Sequence, residues 1–259
     1  MNSKNKITCI IDNLASGGAQ RQITHLIKGL KKKGYNIELY LFRPGTGSFF
    51  QSEIEAVNVV INEAQTLRFI PSKLGTIWHL YFFLRKRKSV IISFQKNANL
   101  LISILKFLGI KNKTILCQRT SSKASTTFYE NLISIFVWRY ADLITSNSKI
   151  ETELLRKKYP RFGNKIFNIS NGYEISTLRK QRTYSAEKKS LLVVGRVANV
   201  KNGLRLLEAL NLFKERNGWS PHINWAGRKD EAPRSKAIQK EIESFLQKNP
   251  DIAKKWTWL

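Results

Sequence analysis

The 259-residue chain is poor in the side chains that build metal centres and covalent frameworks, with two cysteines and three histidines. Cys9 and Cys117 stand alone in apolar, β-prone runs, without CxxC spacing, which excludes a cysteine zinc site and a disulfide framework and reads as two small buried hydrophobes. His25, His79 and His222 share no ligand spacing, so no metal site is expected. His25 falls on the polar side of its helix, His79 in an aromatic-rich helix where packing suits it, and His222 at the start of a strand. No GxSxG or Cys–His arrangement for nucleophilic catalysis occurs. No uninterrupted apolar run reaches the roughly eighteen residues that a spanning helix needs. No signal-peptide core follows Met1, so a cytoplasmic location is expected.

Acidic residues are also scarce: 18 Asp and Glu face 45 Lys and Arg, a net charge of +27. Such an excess suits anionic partners, whether nucleic acid, a phospholipid surface or phosphorylated substrates. Residues 1–170 carry 27 basic and 9 acidic side chains, and the rest of the chain 18 and 9, so the charge is spread rather than gathered in a tail. The densest clusters, 31–33, 85–88 and 156–158, each end or follow an apolar helical pattern, where cations complement the helix dipole. Helix ends alone do not require the whole excess. The 42% hydrophobic content is that of a globular chain.

What is present is alternation. Ile7 to Ile11 reads as a buried strand, 12–18 as a glycine-ended loop, and Ile23, Leu26, Ile27 and Leu30 as one face of a helix stopped by Gly34. Ile37 to Phe42 is the next strand, which completes a βαβ unit and implies a parallel sheet. Strands follow near 57–61, 90–94, 114–117, 143–146 and 165–169, with helices at 74–84, 99–108, 129–139 and 149–158. That is one doubly wound lobe over 1–172. Residues 173–190, polar and without periodicity, form a boundary. A second series begins at Leu191, with a strand at 222–227, helices around 206–213 and 235–247, and a third strand starting at Trp256. The expected class is α/β, with two Rossmann-like parallel-sheet lobes, the second (191–259) incomplete.

Several strand ends carry residues suited to binding anions. Gly17 and Gly18 lie between a strand and a helix, where backbone N–H groups can hold a phosphate; a tight turn for close packing explains them equally well. Arg196 directly follows a strand and Lys201 nears the next helix start, a position suited to clamping a diphosphate. Arg119 follows a strand in a polar loop, and Asn97 and Asn99 follow another; Asn97 and Arg119 are candidates for a cleft on the acceptor side.

Ser16–Arg21 (SGGAQR) resembles the opening glycine loop of the family 4 glycosyltransferases. The segments 91–99 (ISFQKNANL), 143–148 (LITSNS), 168–172 (NISNG) and 193–203 (VVGRVANVKNG) resemble that family's landmarks in the same order, over nearly the whole chain. The resemblance implies a GT-B fold with the sugar nucleotide held mainly by the second lobe, and transfer with retention of configuration, usually without a metal or other cofactor. It matches Arg196 and Lys201 to the diphosphate-binding pair and Gly17 and Gly18 to the loop beside the donor phosphates. It names no catalytic side chain. The family's pair of donor-contacting glutamates lies further along the second lobe than Leu259, so the resemblance also implies C-terminal truncation.

Three functions follow as expectations. The first is a glycosyltransferase that moves a sugar from a nucleotide-sugar donor to a glycan or polyprenyl-linked acceptor in cell-surface polysaccharide assembly. It would be peripheral on the inner face of the cytoplasmic membrane, where the stretch Thr76 to Lys88 meets anionic lipid. The second is an inactive, truncated relative. The third is a basic nucleic-acid-binding protein, resting on charge alone; with no RNP, helix-turn-helix or zinc-finger signature, a nucleic-acid partner is not expected.

Overall fold

The computed structural model describes residues 6–43, 45, 48–64, 72–119, 127–173 and 190–259. They belong to two compact units, Met1–Leu178 and Arg179–Leu259. The boundary read at 173–190 lies, apart from its two end residues, outside the described residues, as do Thr120, Ser121 and Ser122.

The first unit is built on a seven-stranded parallel sheet. Its strands are β1 (Lys6–Ile11), β2 (Asn36–Leu41), β3 (Val60–Glu63), β4 (Val90–Phe94), β5 (Thr114–Gln118), β6 (Leu143–Ser146) and β7 (Ile166–Asn168), in the order β3-β2-β1-β4-β5-β6-β7. The helices are α1 (Gly18–Lys32), α2 (Gln51–Glu55), α3 (Ser72–Arg85), α4 (Lys96–Phe107), α5 (Phe128–Arg139) and α6 (Lys149–Lys158). Strand residues alternate between two cores. Ile10, Tyr40, Ile91, Leu116 and Ile144 face Leu80, Leu84, Ile102 and Val137 from α3, α4 and α5. Cys9, Ile11, Leu39 and Phe94 face Ile23, Ile27 and Ile54 from α1 and α2. This period-two division is what lets a parallel sheet bury both faces. Strand β3 starts three residues later than the sequence reading, because 56–58 form a turn with Asn58 in the left-handed region.

Along α1, an open groove of about 520 Å³ is floored by Ile92, Phe94, Ile115 and Cys117 and edged by Lys28 and Lys33. His25 is half-buried on this groove rather than fully exposed. His79 packs on Tyr40 and meets its hydroxyl through Nδ1 at 2.6 Å, supplying the partner that a buried phenol needs.

The second unit holds a three-stranded parallel sheet, β10-β9-β8, made of β8 (Ser190–Val194), β9 (His222–Ala226) and β10 (Trp256–Trp258). Helices α7 (Gly203–Asn217), α8 (Pro233–Lys248) and α9 (Pro250–Ala253) complete it. Its core joins Leu207 and Leu210 of α7, Ile242 of α8 and Ile252 of α9 to Ile223, Trp225 and Trp256 of the sheet. Among the described residues, no helix is long and apolar enough to cross a membrane.

Candidate functional site

In the first unit the strand order reverses between β1 and β4: the chain moves outward one way through β2 and β3, and the other way through β5 to β7. The carboxyl ends of strands at such a switch point form the crevice where open α/β sheets bind ligands. Asp12 to Gly18 leave β1 there, and Gln95 leaves β4 beside them. Gly17 is the N-cap of α1, in an extended conformation, and no side chain caps the helix. By contrast, α5 and α6 begin with Thr127 and Ser148, whose hydroxyls accept from the N–H of Glu130 and Glu151 three residues on. The first N–H groups of α1 are therefore left to solvent or ligand. A Cβ on Gly18 would meet nothing within 4 Å, so the glycine leaves space in front of the helix rather than relieving a clash.

Three side chains that the sequence reading passed over, Asp12, Gln20 and Gln95, hold this loop. The Gln95 amide, with its nitrogen turned to Asp12, donates to Asp12 Oδ2 at 2.9 Å and accepts from Gln20 Nε2 at 3.2 Å. Gln20 also donates to Asn13 Oδ1. Gln95 reaches Asp12 from a left-handed backbone conformation (φ 80°), which is unfavourable for a non-glycine residue and is kept where the surroundings fix it. Burial pushes the Asp12 carboxyl above its ordinary range, against the backbone N–H of Asn13 and the charge of Arg43. The sequence signal was slight: an acid one residue past a buried strand.

The acceptor-side candidates separate. Asn97 is exposed in the first turn of α4 rather than in a loop. Asn99 is buried, and its Nδ2 donates to the Cys117 carbonyl, tying α4 to β5. Arg119 follows β5, lies over the Phe94 ring 4.5 Å from its centre, and donates to Asn171 Oδ1 at 2.7 Å. It thus gathers the ends of β4 and β5 with the segment after β7, and Gln22 of α1 reaches Gly172 O nearby.

In the second unit, Gly195 (φ 159°) follows the last residue of β8, and Arg196 comes directly after it. The backbones of the two strand ends touch: a Cβ on Gly227 would collide with the Gly195 carbonyl oxygen. Trp225 Nε1 donates to that same oxygen at 2.7 Å. The side-chain carbons of Lys201 lie against Gly195, with Cε 3.4 Å from where a Cβ on that glycine would stand, so Lys201 runs back over the strand end. The Arg196 guanidinium is ion-paired with Asp230. Asp230 sits below the usual carboxylate range because it accepts from the Ala232 N–H and faces Arg196. Gln239 of α8 donates to the carbonyls of Val197 and Asp230, both at 2.9 Å, and so fixes the two loops together. Helix α7 starts at Asn202 in the left-handed conformation, again without a side-chain cap. Each unit thus has a helix start without a side-chain cap after a sheet strand, marked by Gly17 and Gly18 in the first and preceded by Gly195 in the second. The second adds two cations. Among the described residues, no group of three or more His, Cys, Asp or Glu side chains is placed to hold a metal ion.

Two parallel-sheet units, one of seven strands and one of three, give the α/β architecture of GT-B-type proteins. Solved structures with that architecture match closely in shape. Anabaena Alr3699/HepE, in complex with UDP-glucose, superposes with a TM-score of 0.75 at 15% identity, covering 98% of this chain and 68% of that one. A glycosyltransferase from Rickettsia africae superposes with a TM-score of 0.64 at 14% identity, covering 99% and 68%. Residues 16–177 match the model of Glycosyltransferase Family 4, and the chain belongs to that family. A relative, the capsular polysaccharide biosynthesis glycosyltransferase CapH of Staphylococcus aureus, is 24% identical over 236 residues. That alignment takes in 86% of this chain, which spans 62% of the relative's length.

Proposed function

We propose that the chain acts in retaining transfer of a sugar from a nucleotide-sugar donor to a glycan or polyprenyl-linked acceptor, in cell-surface polysaccharide assembly at an anionic membrane surface. The observation that carries this reading is the end of β8, where Arg196 and Lys201 flank a glycine strand end and an uncapped helix start. Two cations beside a helix start without a side-chain cap suit a diphosphate, whose negative charge grows as the bond to the sugar breaks. Gly17 and Gly18, with the open start of α1, offer the same chemistry in the first unit. Arg119 and Asn97 are the acceptor-side candidates. The family membership supports the sugar-transfer class, the UDP-glucose complex of HepE supports the donor type, and the capsular relative supports the acceptor class.

The test is incubation with a panel of radiolabelled sugar nucleotides and a bacterial lipid extract. Label is expected to enter the organic-soluble fraction with at least one donor, and to be lost in the Arg196→Ala/Lys201→Ala double variant. No transfer from any donor, together with no saturable UDP binding, would overturn the reading.

A further inference from the structure

At the opposite, amino-terminal end of the first sheet lies a second concentration of charge that sugar transfer does not use. A recess of about 800 Å³ is lined by Lys6, Arg85, Lys88, Lys111 and Lys113, and among the described residues no acidic side chain lines it. Lys6 opens β1, Lys88 precedes β4 and Lys113 precedes β5, so the parallel register itself draws these cations together. Arg87 also borders the recess, but its guanidinium is committed to the buried Glu38, 3.0 Å away, which also draws Lys6 to 3.8 Å. Among the described residues, Arg85, Lys88, Lys111 and Lys113 form no ion pair. Four such neighbouring cations repel one another and favour an anion between them.

The recess is continuous with an apolar helix face. Tyr81 lines it and packs edge-on against Trp78 (5.8 Å) and Phe82 (5.6 Å), while Trp78 and Phe82 stack at 6.0 Å. Leu74, Trp78 and Phe82 recur every fourth residue along one side of α3 and are 50%, 43% and 52% exposed. The other side of the helix buries Leu80 and Leu84 against the sheet. A helix that is apolar on both sides needs an apolar medium on both, and here only one side has it. Leu108, also exposed, extends the apolar surface across the recess.

We infer that this face is a docking surface for an anionic lipid bilayer, with lipid phosphates in the cationic recess and Trp78 and Phe82 seated at the acyl boundary. Aromatic rings on an exposed helix beside a ring of cations match the two layers of such a surface, apolar below and negative above. The inference rests on the membrane part of the proposed function and assigns it to particular residues.

Co-sedimentation of the whole chain with phosphatidylcholine vesicles, with and without about one third phosphatidylglycerol, tests it. Binding is expected only with the anionic lipid. Lys88→Gln/Lys111→Gln/Lys113→Gln is expected to lower partitioning about 100-fold, roughly fivefold per cation. The charge-matched Lys236→Gln/Lys240→Gln/Lys248→Gln variant on α8 should lower it far less. Trp78→Ser/Phe82→Ser should lose the fraction that resists raised salt, with thermal melts confirming that each variant folds. Equal losses in the two lysine variants, or equal binding to neutral vesicles, would overturn the inference. So would release by tripolyphosphate combined with indifference to the aromatic variant, which would identify a soluble polyanion as the occupant. Vesicle binding without any sugar transfer would leave this inference standing and defeat the enzymatic reading instead.

Discussion

Arg196 and Asp230 are ion-paired across the ends of β8 and β9, and Gln239 holds the carbonyls of the two loops that carry them. An arginine fixed in this way, with its side chain still 54% exposed, is oriented before any ligand arrives. Arg196→Ala is expected to weaken UDP binding by about 10- to 150-fold, the range of a charge-assisted hydrogen bond worth roughly 1.5–3 kcal/mol. Asp230→Asn should change it less than about threefold, because the amide still accepts from the guanidinium and an ion pair whose arginine end faces solvent is weak. The Asp230 carboxyl is held low, so the pair is intact at neutral pH and is lost only as pH falls through that lowered value. Calorimetric titration with UDP checks both, and equal losses in the two variants would make Asp230 indispensable for positioning Arg196.

Asp12 gives the opposite pH dependence. Its carboxyl is raised by burial, so its contribution to stability is fully present below the ordinary Asp range and lost as pH rises through the raised value. Asp12→Asn removes a buried charge while keeping a partner for Gln95. The variant should be more stable than the parent at neutral pH and no more stable in acid, as read from urea midpoints. If Asp12 serves the reaction, the same variant loses sugar transfer despite its added stability.

The glycines divide by what surrounds them. Gly227→Ala forces a methyl group into the Gly195 carbonyl at a positive φ and should cost about 3 kcal/mol, read from the shift in urea midpoint.

Gly18→Ala meets no protein atom and should leave the melting temperature unchanged or slightly raised, since alanine favours the helix. If the space in front of α1 holds a phosphate, that variant lowers donor affinity without loss of fold. Unchanged affinity would return Gly18 to a simple turn.

Much of the architecture was legible in the chain, because strand and helix periods are local properties. The run from Ile7 to Ile11 and the stripe from Ile23 to Leu30 announce β1 and α1 through spacing alone. Boundaries moved where a capping or turn residue decided them. Asn97 shifted from loop to helix because α4 begins at Lys96, and β3 started late because Asn58 turns the chain. Arg196 and Lys201 stood out by their place at a strand end. Their neighbours did not: Asp230 is 34 residues from Arg196, and Gln239 is 42 from Val197.

By itself the sequence determined the alternation of elements, the family and the excess of positive charge, since each is written in composition, period or ordered motifs. Only the tertiary structure decided which charges are already paired and which face a common recess. Sheet register places Lys6, Lys88 and Lys113 at the amino-terminal ends of neighbouring strands, the end of α3 and the turn after α4 bring Arg85 and Lys111 beside them, and Glu38 takes Arg87. Net charge is a sum over residues, whereas an electrostatic site depends on distances between them, and folding sets those distances.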